Sequence, residues 1–572
     1  MILCTPQRIS QMIAAGHWST RTLWDMFLVN VERTPDQEAV VDPPNLAELA
    51  DMAPRRLSWA ALHDEVERLA ALLHLHGLRR DDIVIVQLPN CSAQVALYLA
   101  CHRLGLVFSP LPAVYREFEI GHALACTEAA ALFTCTRIGR QAHGSMMAAL
   151  RPAHACVRQL FVMGPSDGTC PARAVAVDTA LRGALPIEAM RVHAASIGLS
   201  ADDVVTICWT SGTEAHPKGV PRSSNEWYWQ SKGTVDSVGL QPGMRILNPF
   251  PLVNMGGMSS GFVGWLLKGA TLVQHHPFDL ALFLQQIREE RIEYTVAPPA
   301  ILNRLLQNES LLAGIDFTRL KRIGSGSAPL SPWMIETFAS QHGVEVLNYF
   351  GSNEGAAMCG SAADIPDPVD RATLFPRPQR PGRPPWQAQI NNLVQTRLVA
   401  SDGEREILQP GEAGELRIAG PTVFSGYYRA PELNASAFDA QGYFKTGDLF
   451  EIAGDEGQYL RYVGRLKDLV LRGGMKISAE EVESLIASHP GVAEVAVVGV
   501  PDMVLGETLC ACVAPRPGCS VNLAELVRFL RDDKKLAPFK LPEQLLLLPT
   551  LPRNPVGKVL KRELREQARS GD

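Results

Sequence analysis

Short apolar runs closed by turn residues alternate along this chain with stretches whose apolar side chains recur at helical spacing. Ile83-Val84-Ile85-Val86-Gln87-Leu88 is rich in β-branched residues and stops at Pro89-Asn90. Cys91 to Leu104 follows, with apolar residues three and four positions apart. The pattern predicts a buried strand and then a helix. Val204–Trp209 and Thr271-Leu272-Val273 repeat the strand signature, the second leading into a helix from about Leu280 to Glu290. Strand, loop, helix, strand is the rhythm of a layered α/β fold with largely parallel sheets. No repeat of fixed period is visible.

Two places read as joints. Residues 364–386 are crowded with prolines (Pro366, Pro368, Pro376, Pro378, Pro381, Pro384, Pro385), which predicts an irregular connection. Gly464-Arg465-Leu466-Lys467-Asp468 is a short polar break before a new α+β stretch. These joints predict a large N-terminal domain over 1–466 and a small, mobile C-terminal domain over 467–572. With 572 residues the chain is too long for one ordinary core.

Composition narrows the class. At 46% apolar and 20% charged residues, the chain is neither disordered, collagen-like nor a coiled coil. Its formal charge of −6 argues against nucleic acid as the main partner. From Arg516 onward, however, 12 basic residues stand against 7 acidic ones, a solvated face that could also meet a phosphorylated ligand. No apolar run approaches the length of a membrane span, and MILCTPQRIS lacks the apolar core of a secretory signal. The 12 cysteines form no CxxC pair, and Cys510-Ala-Cys512 puts two thiols on one face of a strand. Reduced, buried thiols in a cytoplasmic chain are the expected reading.

The densest chemistry follows the strand Val204–Trp209. Thr210-Ser211-Gly212-Thr213-Glu214-Ala215-His216-Pro217-Lys218-Gly219-Val220 combines hydroxyls, glycines and a lysine in one loop. Glycines admit main-chain N–H groups to an anion, hydroxyls donate, and lysine offsets charge; a plain turn would use the same residues. The spacing is not that of a Walker A loop. Further on come Gly324-Ser325-Gly326-Ser327-Ala328-Pro329, Asn348-Tyr349-Phe350-Gly351-Ser352-Asn353-Glu354 after a strand-like Val344–Leu347, and Phe444-Lys445-Thr446-Gly447-Asp448. Gly464-Arg465-Leu466-Lys467-Asp468 and Pro552-Arg553-Asn554-Pro555-Val556-Gly557-Lys558 complete the series. Lys558 sits between an apolar strand, Leu545–Leu548, and an amphipathic helix, Val559–Ala568.

In order and interval these motifs resemble the AMP-forming, adenylate-forming superfamily, from about Thr22 to about Arg562. That superfamily comprises acyl-CoA synthetases, stand-alone aryl- and acyl-adenylating enzymes, adenylation domains of peptide synthetases, and luciferases. The resemblance implies an acid–thiol ligase that uses ATP, Mg²⁺ and CoA, or a carrier-protein phosphopantetheine in place of CoA. It assigns Thr210, Ser211, Gly212, Thr213 and Lys218 to the β- and γ-phosphates, and Glu354 to Mg²⁺. Phe350, beside Tyr349 and Gly351, would stack on adenine, with Ser325, Gly326 and Ser327 on its other face and Asn348 at its amino group. Asp448 would accept from the ribose hydroxyls, assisted by Arg465. Lys558 would bridge the attacking carboxylate and the α-phosphate. Lys467 would be the hinge that exchanges Lys558 for the face around Gly473 and Gly474, where a pantetheine arm enters. A side chain placed at Gly474 is then expected to block thioester formation more than adenylate formation, measured as two separate half-reactions.

Three positions depart from the family pattern. Asn254 stands where many relatives have His, Asn353 where Thr is usual beside Glu354, which puts an amide where the resemblance implies a hydroxyl contact to the α-phosphate of ATP, and Ala215 where the phosphate loop has a glycine. The acid is expected against Asn254, Met255, Gly256, Met258 and Phe262, near Ala297-Pro298. Between Asn248 and Trp265 there is no Asp or Glu, so a substrate ammonium would find no partner. A short, medium-chain, cyclic or aromatic carboxylic acid is the expected substrate. A stand-alone ligase loading an acyl-carrier protein is the near alternative. A catalytically silent nucleotide-binding protein is the alternative from another class, and luciferase-type oxygenation a remote one.

Overall fold

The computed structural model describes every residue except 165–169, 211–216, 328–329, 380–383, 401–402, 404, 473–474, 535, 555–556 and 571–572. Ser211, Gly212, Thr213, Glu214, Ala215, Ala328, Pro329, Gly473 and Gly474, all singled out from the sequence, lie outside the described residues. The chain separates into two compact units. One comprises 1–212, 216–395 and 419–442; the other 213–215, 396–418 and 443–572.

The first unit is built on two mostly parallel sheets. One has the strand order Val175–Ala176, Gln159–Met163, Ala131–Cys135, Ile83–Gln87, Val107–Pro110, Val204–Trp209, Gly219–Ser223. The other runs Ala357–Gly360, Glu345–Gly351, Arg322–Gly326, Tyr294–Val296, Arg245–Asn248, Thr271–Gln274, Glu38–Val41, Arg56–Ser58. Ile83–Gln87 and Val204–Trp209 are buried along their whole length. This is why they read as unbroken apolar runs rather than as alternating ones.

Between the sheets lie Trp59–Leu75, Ser92–Arg103 and Ser224–Val238, whose buried residues join one core cluster. The third helix starts at a capping box: Ser223 accepts from the Glu226 N–H, and the Glu226 carboxylate accepts from the Ser223 N–H. That start fixes the helix directly after the strand Gly219–Ser223. The parallel strands Arg322–Gly326 and Glu345–Gly351 pair Ser325 with Asn348 and Gly326 with Tyr349 at their carboxyl ends, with Phe350 and Gly351 beyond. A crevice at the carboxyl ends of parallel strands is the usual place for a ligand in such sheets.

In the second unit, Tyr459–Arg465, Phe444–Ala453 and Ala413–Ala419 pair antiparallel in that order, and Gln395–Val399 follows them in the sheet. A second antiparallel group, Met475–Ser478, Leu469–Arg472, Gly506–Pro515 and Val492–Asp502, is extended by Gln544–Leu547, parallel to Gly506–Pro515. Cys510 and Cys512 are both buried on Gly506–Pro515.

Two expectations need correction. The proline-rich segment is not wholly irregular: Pro368–Thr373 is a helix and Leu374–Pro376 a strand. Asp367 caps that helix, accepting from the N–H groups of Val369 and Asp370, while Pro368 occupies a first-turn position where its missing N–H costs nothing. The last helix runs over Lys561–Ser570 instead of Val559–Ala568. Val559 is held in an antiparallel bridge to Arg553, which delays the helix start. Among the described residues, no helix is long and apolar enough to cross a membrane.

Candidate active site

The two ends of the Thr210–Lys218 motif are clasped together. Thr210 N–H donates to the Lys218 carbonyl at 3.0 Å, and Lys218 N–H donates to the Thr210 hydroxyl at 3.2 Å. The flanking strands pair antiparallel up to Trp209 and Gly219. On the outer side, His122 meets the Pro217 carbonyl at 2.9 Å. The loop's two ends are thus fixed by the hairpin, and the Lys218 ammonium lies over the Tyr427 ring, 5.4 Å from its centroid.

The Tyr427 hydroxyl donates to Glu354 Oε1 at 3.0 Å. Two further bonds staple the turn carrying Glu354 to the same segment. Phe424 N–H donates to the Glu354 carbonyl at 2.9 Å, and the Thr422 hydroxyl donates to the Gly355 carbonyl at 2.7 Å. Gly355 has φ +118°, and a Cβ there would stand 2.2 Å from the Thr422 carbonyl oxygen. Only glycine fits this place.

Arg222 reaches the same turn from below. Fully buried, its guanidinium donates to the carbonyls of Asn353 (3.0 Å) and Glu226 (3.2 Å), and to Gln230 Oε1 (3.3 Å). Desolvation pulls its pKa below the ordinary arginine value, partly offset by the Glu226 carboxylate. Gln230 in turn donates to the Ala356 carbonyl at 2.9 Å and contacts the Met255 sulfur.

Asn353 and Asn254, two of the departures from the family pattern, meet around one residue. Asn353 Oδ1 accepts from Met255 N–H at 2.8 Å, and Asn254 Oδ1 accepts from Gly256 N–H at 3.1 Å, capping the short helix Met255–Gly257. Asn353 therefore ties the expected acid wall to the Glu354 turn. We expect Asn353→Ala, which withdraws this acceptor, to raise the KM for the acid about 5-fold, the effect of one lost hydrogen bond of about 1 kcal/mol. ATP KM should stay unchanged. Steady-state AMP release gives both numbers, and an altered ATP KM with a constant acid KM would contradict this role.

Asn254, Met255 and Gly256 are partly exposed, whereas Met258 and Phe262 lie in the core, where Phe262 packs against Tyr98 at 4.5 Å. The Met255 side chain lies against Gly351, its methyl 1.9 Å from where a Cβ would stand. Behind the strands, the Tyr349 and Tyr294 rings crowd Gly324, and their hydroxyls meet at 3.2 Å. Burial holds both phenols above the usual tyrosine range.

Ser325 is buried and donates to the Ala297 carbonyl at 2.8 Å, while Ser327 is exposed, with φ +66°. Asn348 donates from its amide to the carbonyls of Arg371 (3.0 Å) and Ala372 (3.1 Å). Its side-chain oxygen remains as an acceptor. Phe350 packs edge-on to Phe375, with centroids 5.9 Å apart.

In the second unit, Asp448 and Arg465 are cross-strand partners, and Arg465 Nε stands 3.2 Å from Asp448 Oδ1. Burial opposes the guanidinium's charge, but Asp448, Tyr462, Glu480 and Asp468 together outweigh it and hold its pKa above the ordinary value. The turn before Asp448 is set by Thr446, whose hydroxyl donates to the Leu416 carbonyl and accepts from Asp448 N–H. Lys467 is exposed in the turn Leu466–Asp468; its carbonyl accepts from Arg565, which also pairs with Asp468 at 2.9 Å. Lys558 is exposed, and its backbone is fixed by reciprocal bonds with Asn554, each 2.8 Å.

The family model described as AMP-binding enzyme matches residues 27–428, and that described as AMP-binding enzyme C-terminal domain matches 481–558. The chain belongs to the AMP-binding enzyme family. Among similar proteins, a 2-hydroxy-7-methoxy-5-methyl-1-naphthoate–CoA ligase of Streptomyces carzinostaticus is 34% identical over 97% of this chain and 94% of its own length. A salicylyl-CoA synthase / salicylate adenylyltransferase of a Streptomyces species is 30% identical over 97% and 95%. The solved structure of ATP-bound MatB from Rhodopseudomonas palustris aligns with a TM-score of 0.77 at 28% identity, covering 96% of this chain and 99% of that one. This AMP-binding enzyme thus has the α/β architecture of adenylate-forming enzymes, a large N-terminal part with a small C-terminal domain.

Sequence reading did not single out several residues that tie these candidate motifs together: Arg222, Gln230, Thr422 and Tyr427. One signal was available for Arg222, a lone base inside the otherwise uncharged strand Gly219–Ser223. Tyr427 carries no comparable mark, since its contact with Glu354 joins residues 73 positions apart.

Proposed function

We propose that this protein activates a compact aromatic or cyclic carboxylic acid as its acyl-AMP and passes the acyl group to CoA. The observation that carries the reading is the cluster of Lys218, Tyr427 and Glu354 beside the clasped phosphate loop, a cation and a hard oxygen donor side by side where a triphosphate needs both. The obstacle to the reaction is electrostatic, because a carboxylate must approach a polyanion while further charge gathers on the leaving phosphates.

In the first step, a substrate carboxylate oxygen attacks the α-phosphorus, and the bond to the bridging oxygen of the β-phosphate breaks, releasing pyrophosphate. Lys218 and the Thr210 loop hold the β- and γ-phosphates, Asp448 with Arg465 holds the ribose, and Phe350 and the Asn348 oxygen orient adenine. Lys558 offsets the repulsion at the point of attack. In the second step the thiol sulfur attacks the acyl carbon, the bond to the AMP oxygen breaks, and the thiol proton leaves to solvent. Mg²⁺, when bound, supplies charge neutralisation on the phosphates. Glu354 fits it as a hard oxygen ligand.

Three features support a compact, uncharged ring or short chain as the acyl part. Met255 fills the space beside Gly351, Tyr294 and Tyr349 fill that beside Gly324, and no carboxylate between Asn248 and Trp265 would receive an ammonium. The similar naphthoate– and salicylate-activating proteins support an aromatic acid in particular. A panel of benzoic, salicylic, naphthoic, cyclohexanecarboxylic, octanoic and amino acids, assayed for AMP release with CoA and without it, tests the proposal. Thioester formed from an aromatic acid and free CoA is expected. Acyl-AMP made without any CoA thioester would move the acceptor to a carrier protein, and preference for octanoate or an amino acid would overturn the acid assignment.

A further inference from the structure

We infer that Tyr427 is a positioning residue, which aims the Glu354 carboxylate with its hydroxyl and seats the Lys218 ammonium on its ring. The inference rests on the proposed reading of Glu354 as the carboxylate that receives Mg²⁺ and of Lys218 as a phosphate ligand. No sequence motif considered above includes this tyrosine.

The side chain touches both groups through different atoms. Its hydroxyl donates to Glu354 Oε1 at 3.0 Å, and its ring face lies 5.4 Å from Lys218 Nζ. A phenol has one proton to give, so that contact fixes which carboxylate oxygen is engaged by protein and leaves Oε2 to face a cation. The ring face is the negative end of an aromatic quadrupole, which attracts an ammonium without discharging it. A carboxylate in the same place would pair with the lysine outright and weaken its pull on phosphate.

Tyr427 is itself held firmly. Asn434 grips its backbone on both sides, accepting from Tyr427 N–H at 2.7 Å and donating to the Tyr427 carbonyl at 2.9 Å. Phe424 packs edge-on to its ring at 4.9 Å, and the Phe424 N–H is the one that donates to the Glu354 carbonyl. Tyr427 as a whole is 8% exposed. The Glu354 carboxylate and its backbone are therefore both located by the segment 422–427, which also holds Gly355, whereas Asn353 on the other side of Glu354 is tied to Arg222 and Met255.

The test is Mg²⁺-dependent nucleotide binding, followed by calorimetry with ATP in the absence of acid, at a series of Mg²⁺ concentrations and in EDTA. Tyr427→Phe keeps the ring and removes the hydroxyl. It should raise the Mg²⁺ concentration for half-maximal enhancement of ATP binding about 10-fold, as expected for a lost hydrogen bond to a charged group, and leave binding in EDTA unchanged. Tyr427→Leu should show the same shift and also weaken binding in EDTA several-fold, because the lysine loses its seat. Asn434→Ala, which loosens the ring without deleting the hydroxyl, should reproduce part of the Mg²⁺ shift. Thermal unfolding of Tyr427→Phe should match that of the parent. Glu354→Gln separates the two levels of the inference. If it shifts the Mg²⁺ dependence and Tyr427→Phe does not, the role given to Tyr427 is wrong and that of Glu354 stands. If Glu354→Gln also leaves it unmoved, the metal reading of Glu354 fails. A Tyr427→Phe protein that loses binding equally with and without Mg²⁺ would show a merely structural tyrosine and overturn the inference.

Discussion

Replacing Lys558 by alanine is expected to lower acid-dependent exchange of pyrophosphate into ATP by about 10²–10³-fold, the loss typical of one preorganised charge in a polar transition state. Thioester formation from acyl-AMP supplied in solution should continue near the parent rate. The asymmetry follows from where charge develops. In the first half-reaction an organic anion meets a phosphate and the ammonium offsets their repulsion; in the second a thiol meets a neutral acyl carbon and that repulsion is gone. The local structure makes the variant a clean one. Asn554 binds the Lys558 backbone and the Arg553 guanidinium binds the Gly557 carbonyl at 2.7 Å, so these contacts survive loss of the amine. Lys558 is exposed, and stability should change by no more than about 0.5 kcal/mol. Equal loss of both half-reactions would contradict the role given to this lysine.

The second large effect is expected at Gly355. Gly355→Ala should lower pyrophosphate exchange about 100-fold and destabilise the first unit by roughly 3 kcal/mol, from positive-φ strain and a lost close approach together. At φ +118° a Cβ would meet the Thr422 carbonyl oxygen at 2.2 Å and the Val423 Cα at 2.6 Å, both backbone atoms that cannot swing aside. Relief requires the 422–427 segment to part from the Glu354 turn, which breaks the Thr422–Gly355 and Phe424–Glu354 bonds and carries the Tyr427 hydroxyl off the carboxylate. A chemical denaturation series beside the exchange assay checks both halves. Parent-like exchange in the alanine variant would mean that the staple between these segments does not govern the site.

What the sequence disclosed follows from where each signal is stored. Ile83–Gln87 and Val204–Trp209 were legible because parallel strands are covered on both faces and cannot hide their apolar character. Thr210, Lys218, Glu354, Asp448 and Lys558 stand out in the sequence as candidates because polar residues recur in loops at strand ends, and the roles given to them are proposals. Asp448 and Arg465 illustrate how such motifs combine, since the antiparallel register of their strands makes them direct neighbours. The helix Pro368–Thr373 was obscured by the prolines around it, although Asp367-Pro368 is a sound helix start. The roles of Arg222 and Tyr427 were invisible for a different reason. They depend on contacts spanning 131 and 73 residues, which no local pattern encodes. The Asn353 substitution became intelligible only when its side chain was seen to hold the backbone of Met255.

Acid-dependent exchange of labelled pyrophosphate into ATP by the full chain, with Mg²⁺ and without CoA, tests the central claim most directly. Label should enter ATP in the presence of an aromatic carboxylic acid and not in its absence, because the first step is reversible and needs the acid to form acyl-AMP. Tight ATP binding with no exchange for any acid in the panel would contradict adenylation and leave a protein that only holds the nucleotide.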